Sequence, residues 1–142
     1  MFNVVVLTTD ENLRLALVDI AHRSSRPCEV SLLAAQDIID GNSVPSNTDL
    51  LVVDCEETSK PNLHVFDIGA VVEALKMIII RNRNARNTAP TAWLFDHCEI
   101  DKPVNADLLE YVFGESIDDC AVNRARRDFV ESLIGVPTGQ KN

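Results

Sequence analysis

Two runs in this chain, FNVVVLT at residues 2–8 and DLLVVDC at residues 49–55, are apolar almost without interruption and rich in valine. A strand with one wet face alternates apolar and polar side chains with a period of two. A short run without alternation fits a strand covered on both faces. Such strands belong to parallel sheets, and parallel sheets need helical crossovers. The sequence between the runs supplies one, because Leu13, Leu17, Ile20 and Ala21 recur at helical spacing. Thr8 stands three residues before Glu11, the spacing of a capping box.

The rest of the chain continues the alternation. CEVSLLAA predicts a second strand, QDIIDG a short helix closed by Gly41, and DLLVVDC the third strand. From Asp67 as N-cap, IGAVVEALKMIIIRNRN predicts a long helix with Ile68, Val71, Val72, Leu75, Ile78 and Ile79 on one face. APTAWLFD predicts a fourth strand, with Trp93 and Phe95 filling a sheet face. Only HCEI then separates it from DKPVNADLLEYVFG, which leaves open whether residues 97–103 form a fifth strand or an edge loop. Asn105 caps a helix ending at Gly114, and Ser116 caps a last amphipathic helix through Ile117, Ala121, Ala125, Phe129, Val130 and Leu133.

This alternation predicts an α/β fold, a doubly wound, flavodoxin-like parallel sheet, with a shortened interval between its fourth and fifth strands. It occupies residues 1–114, followed by a C-terminal amphipathic helix over 115–135 and a flexible tail over 136–142. At 142 residues the chain is one domain by length. Ligands and reacting groups in such sheets collect at the carboxyl ends of the strands, near the reversal of strand order. Asp54 closes the third strand at that address.

Charge and motif content narrow the function. With 13 basic and 22 acidic residues, a formal charge of −9, the chain lacks the clustered cations that hold phosphate backbones, so direct nucleic-acid binding is not expected. Arg81, Arg83 and Arg86, and the group Arg124, Arg126 and Arg127, read as helix C-terminal charges or solvated helix faces. The chain has no GxGxxG after its first strand, no GxxxxGK[ST] and no GxSxG. His22, His64 and His97 share no metal-ligand spacing, and Cys28, Cys55, Cys98 and Cys120 form no CxxC pair. Without a signal-peptide pattern, and with LKMIII as the longest apolar run, the expectation is a cytoplasmic protein outside the membrane. Asp10, Glu11 and Asp54 are the carboxylates that could gather around a hard cation such as Mg²⁺.

The order of elements, the strand-ending Asp54, the pair Lys102-Pro103 and the stretch VVLTTDENLRLAL together resemble the receiver domains of bacterial response regulators. The resemblance implies a site in which an acidic pair ending the first strand and an Asp ending the third hold Mg²⁺. That Asp accepts a phosphoryl group, a Ser or Thr ends the fourth strand, and a Lys before Pro ends the fifth. It puts Asp54 in the phosphoacceptor position and Lys102 in the phosphate-contact position. Lys102 equally fits a solvated loop, with Pro103 starting the next helix.

The chain departs from that pattern. Aligned without a gap, the acidic-pair positions are Thr8 and Thr9, and Phe95 or Asp96 stands where the hydroxyl belongs. A slip of one residue that brought in Asp10 would also swap the faces on which the strand's side chains lie. Three readings follow. The leading one is a degenerate receiver, a pseudo-receiver: a non-catalytic signalling module of a two-component type of system, acting through protein partners or as a homodimer through its C-terminal helix. The expectation is that it needs no cofactor and heads a longer regulator. The second is a genuine phosphoacceptor, with Asp54 as nucleophile, Asp10 or Glu11 joining it on Mg²⁺, and Lys102 as charge partner. The third is a flavodoxin-like binder of a small anion on the amides after LTTD.

Overall fold

The valine-rich runs lie side by side inside a parallel sheet in a computed structural model, which describes residues 1–34, 36–37, 47–58, 76–82 and 97–134. Its elements are β1 (Phe2–Leu7), α1 (Glu11–Arg23), β2 (Cys28–Leu33), β3 (Leu50–Asp54), the single turn α2 (Cys55–Thr58), β4 (Lys76–Asn82), β5 (His97–Lys102) and α3 (Ala106–Leu133). The strand order is β2-β1-β3-β4-β5, and every neighbouring pair is parallel. This is the doubly wound, flavodoxin-like order, and it reverses between β1 and β3. All five residues of β3 are buried, whereas the edge strand β2 is half exposed.

Alternation of side chains places Val4, Val6, Leu50, Val52, Ile78, Ile80 and Ile100 on one sheet face, where they pack with α1 and α3. Helix α1 presents Leu13, Leu17, Ile20 and Ala21 to this core, the four positions its periodicity marked. Helix α3 presents Leu109, Phe113, Ile117 and Cys120. Val5, Leu7, Leu51, Val53 and Met77 of the opposite face are buried too.

Several sequence expectations are corrected. The KMIII segment is strand β4, not the last turns of a helix, and Lys76 to Ile80 are all buried. A helix of period 3.6 on a sheet keeps one side wet, so five consecutive buried residues require a central strand. HCEIDK forms β5, an edge strand in register with β4 from Met77↔His97 to Asn82↔Lys102. The interval between the fourth and fifth strands is therefore residues 83–96, not the few residues expected. The predicted strand at 89–96 with Trp93 and Phe95, the helix expected from Asp67 to Leu75, and Gly41 lie outside the described residues, as does the tail beyond 134.

The two helices expected either side of Gly114 are one. Helix α3 runs unbroken for 28 residues, through both Gly114 and Ser116. Ser116 caps nothing; it is fully buried, and its hydroxyl has no hydrogen-bond partner among the described residues. The N-cap of α1 is Asp10, not Thr8, with Oδ1 accepting from Asn12 N and Leu13 N.

At the N-terminal ends of the strands α3 is tied down by charge. Arg124 donates to the buried Asp49 at 2.5 Å and lies 4.1 Å above the Phe2 ring, and Lys76, itself buried, meets Asp119 at 2.9 Å. The hydrogen bond to Asp49 raises the Arg124 pKa. The Arg81 side chain, expected at a helix end, instead bridges Asp101 and Glu99 along the β4–β5 edge. No helix among the described residues is long and apolar enough to cross a membrane.

Candidate functional site

The site is set by strand register. Val4 and Val6 of β1 lie opposite Leu50 and Val52 of β3. Two further residues along each strand give Thr8 and Asp54 on the same face. Asp54 in turn pairs with Ile80, and Ile80 with Ile100, two residues before Lys102. Thr8, Asp54 and Lys102 thus come from three strands to one face at the carboxyl edge, beside the reversal of strand order.

Asp54 is 2% exposed, and both its oxygens are engaged. Oδ2 accepts the Thr8 hydroxyl at 2.7 Å, and Oδ1 accepts Glu56 N at 3.1 Å and meets Lys102 Nζ at 2.8 Å. Thr8 is itself held in place: its hydroxyl accepts from Asp10 N at 3.0 Å, and its carbonyl accepts from Arg14 Nε at 2.7 Å. Lys102 also reaches Glu56 at 3.1 Å. Burial draws the Lys102 pKa down, but the hydrogen bonds and charges of Asp54 and Glu56 outweigh it, so the ammonium is held above its ordinary value. A buried carboxylate is costly unless paired and hydrogen-bonded, and Asp54 is both.

The structure therefore brings Asp54 and Lys102 together, as the resemblance implied, and adds Thr8 and Glu56. Thr8 stood both at a capping-box spacing and at an acidic-pair position of the receiver pattern, and Glu56 was not singled out. The signal for Thr8 was its parity with Val4 and Val6, which puts it on the Asp54 face once β1 and β3 are neighbours. Strand β4 contains no Ser or Thr, so it supplies no hydroxyl to this edge, whichever of its residues is aligned with the receiver pattern. Phe95 and Asp96, expected there, are not part of β4 and lie outside the described residues.

Asp10, Glu11 and Asp54 are not gathered as a ligand set. Asp10 Oδ1 is committed to the first turn of α1, and Glu11 projects from that turn into solvent. Among the described residues no group of three or more His, Cys, Asp or Glu side chains is placed to hold a metal ion. A divalent cation needs a cluster of free oxygens, and here one Asp54 oxygen is held by the Thr8 hydroxyl, while the Glu56 carboxylate beside the other is paired with Lys102. The residues present do not fit Mg²⁺.

A cavity of about 280 Å³ opens beside Lys102, between α1 and the start of α3, lined by Leu13, Ala16, Pro103 and Leu109 among others. Lys102 is the one cation among its described lining residues, and it is already paired. The amides of Asn12 and Leu13, which an anion at LTTD would use, are bonded to Asp10. The four cysteines are free thiols, and burial foremost pushes Cys120 up to about 12, where it is not a nucleophile at neutral pH.

No family model matches the chain, and no curated protein matches it by sequence. Solved structures do match by fold. The BeF3-activated DrrB receiver domain has a TM-score of 0.58 at 14% identity, with 83% of this chain and 98% of that one covered. A CheY-like response regulator receiver domain protein from Methanospirillum hungatei JF-1 has a TM-score of 0.56 at 16% identity, covering 84% and 96%. NtrX from Brucella abortus has a TM-score of 0.59 at 17% identity, covering 91% of this chain but 29% of that one. At these identities the likeness is one of fold, and the fold is that of receiver domains.

Proposed function

We propose that this chain is a receiver-type signalling module that has lost phosphoryl transfer, a pseudo-receiver. It is not an enzyme, works in the cytoplasm, and acts by contact with other proteins or a copy of itself through α3. One observation carries the reading: the Asp54 carboxylate is closed on one oxygen by the Thr8 hydroxyl, at the place where the receiver pattern has metal-binding acid. Phosphoryl transfer to a carboxylate needs positive charge around the equatorial oxygens, supplied mostly by the metal and the lysine. Lys102 alone remains, and its charge is shared between Asp54 and Glu56.

A second reading is kept by the 2.8 Å contact of Lys102 with Asp54, an arrangement that a working phosphoacceptor also uses. One experiment decides between them. The protein is incubated with acetyl phosphate, or with beryllofluoride, and Mg²⁺, and its intact mass and fluorescence are followed. The pseudo-receiver reading predicts no change; a shift that Asp54→Asn abolishes would establish the phosphoacceptor instead.

A further inference from the structure

The cavity beside Lys102 has a dry floor and a charged mouth. Leu13 and Leu109 of its lining are core residues, and Ala16 and Val104 pack against that core. Asp10 and Lys102 line it as well, a carboxylate from the entry to α1 and an ammonium from the end of β5. Both are held from behind. Asp10 Oδ1 accepts from Asn12 N and Leu13 N, and Lys102 Nζ meets Asp54 and Glu56. Each keeps capacity in reserve: Asp10 Oδ2 has no partner among the described residues, and Lys102 has three donors for two carboxylates.

We infer that this cavity binds a free aliphatic α-amino acid of about the size of leucine, with its carboxylate on Lys102, its ammonium on Asp10 and its side chain against Leu13, Ala16 and Leu109. The pairing of signs decides the class. A plain carboxylic acid would meet Lys102 but sit beside the Asp10 carboxylate, and a plain amine would meet Asp10 but sit beside Lys102. A neutral hydrocarbon would cover both charges and satisfy neither. An apolar side chain of a partner protein brings neither charge, because its own amino and carboxyl groups are spent in peptide bonds. A zwitterion with an apolar side chain answers the acid, the base and the floor together. The volume of about 280 Å³ falls at the small end of ligand sites, roughly 300–1,000 Å³, and suits a molecule of about nine non-hydrogen atoms.

Both charges are fastened before the ligand arrives, Asp10 by the first turn of α1 and Lys102 by Asp54, which lowers the cost of ordering them on binding. Glu56 is exposed and can turn to solvent, so the incoming carboxylate does not crowd it. The inference goes beyond the contact reading, since it gives the module a chemical signal delivered next to Asp54 without phosphoryl transfer. It does not depend on the state of Asp54: phosphorylation there would remove the pseudo-receiver reading and leave the amino-acid site to stand or fall by its own titration.

The test is a titration of the nitrogen-15-labelled full chain with L-leucine, followed by amide NMR shifts. Saturable shifts are expected at Leu13, Ala16, Val104 and Leu109, with a Kd on the order of 1 mM or tighter. Isovalerate, which lacks the ammonium, isopentylamine, which lacks the carboxylate, and glycine, which lacks the side chain, are each expected to bind about tenfold or more weakly. Asp10→Asn keeps the N-cap of α1, because Asn caps as well as Asp, and is expected to weaken leucine by about tenfold. Ala16→Leu fills the floor and is expected to abolish the shifts. No saturable shift at these four amides, isovalerate binding as well as leucine, or leucine binding indifferent to Asp10→Asn would each overturn the inference.

Discussion

Thr8 and Asp54 face each other across the β1–β3 seam, hydroxyl to carboxylate, 2.7 Å apart. The bond joins the strands between which the sheet order reverses, at the edge where a fold of this type keeps its chemistry. Because Thr8 Oγ1 also accepts Asp10 N, the same hydroxyl fixes the entry to α1. The contact is both a site feature and a structural one.

Thr8→Val keeps the shape and removes the donor. Asp54 Oδ2 is then left buried without its hydroxyl, and Asp10 N loses its acceptor. The expected cost is about 1–2 kcal/mol in urea unfolding, with Thr8→Ser restoring most of it. A Thr8→Val protein as stable as wild type would show that the bond contributes nothing.

Replacing both threonines by acid, Thr8→Asp with Thr9→Asp, sets new carboxylates beside Asp54. Without metal the like charges destabilise the edge. With Mg²⁺ the double variant is expected to gain about 1.4 kcal/mol when the ion reaches ten times its Kd, seen as a rising thermal midpoint. Wild type under the same titration is expected to stay flat.

Lys102 gives a pH signature. Its pKa is raised in the folded chain, with burial opposing and Asp54 and Glu56 prevailing. The stability it contributes is whole below the ordinary lysine value of 10.5 and is lost as pH rises through the higher folded value. Lys102→Met is expected to lose about 2 kcal/mol at neutral pH, since Asp54 loses its charge partner. The gap to wild type stays constant up to about pH 9 and narrows as pH rises from 10.5 through the higher folded Lys102 value, as read from urea midpoints across the series.

Gly114 lies inside α3, and a Cβ built there meets nothing within 4 Å. Gly114→Ala is therefore expected to stabilise the protein by about 0.5–1 kcal/mol through helix propensity. Loss of stability in thermal unfolding would show that the helix needs its glycine.

The sequence is most informative where a single physical pattern acts alone. FNVVVL and LLVVD are short and rich in valine, which favours a strand buried on two faces, and α1 exposes and buries its side chains at one period. LKMIII was misread because a short, mostly apolar run without alternation satisfies a helix and a central strand equally. Only neighbours on both sides, β3 and β5, decide between them. At Gly114 and Ser116 the local signals for an end and a cap were outweighed by burial of Ser116 and Ile117 against the sheet. In the site, Asp54 and Lys102 are legible as the ends of their runs. The role of Thr8 depends on which strand lies beside β1, and that is a property of topology rather than of any local stretch.

Helix α3 starts four residues after Lys102 and spans about 42 Å at 1.5 Å per residue. It is held near its start by Leu109 and Phe113 in the core, and at the other end of the sheet by Arg124 on Asp49 and Asp119 on Lys76. Fastened at both poles, it behaves as a strut rather than a hinged arm. A tilt of five degrees over that length would carry the far tip through about 4 Å. The aim of the protruding segment is thus dictated by the body of the domain, and whatever it touches is offered a surface at one fixed bearing.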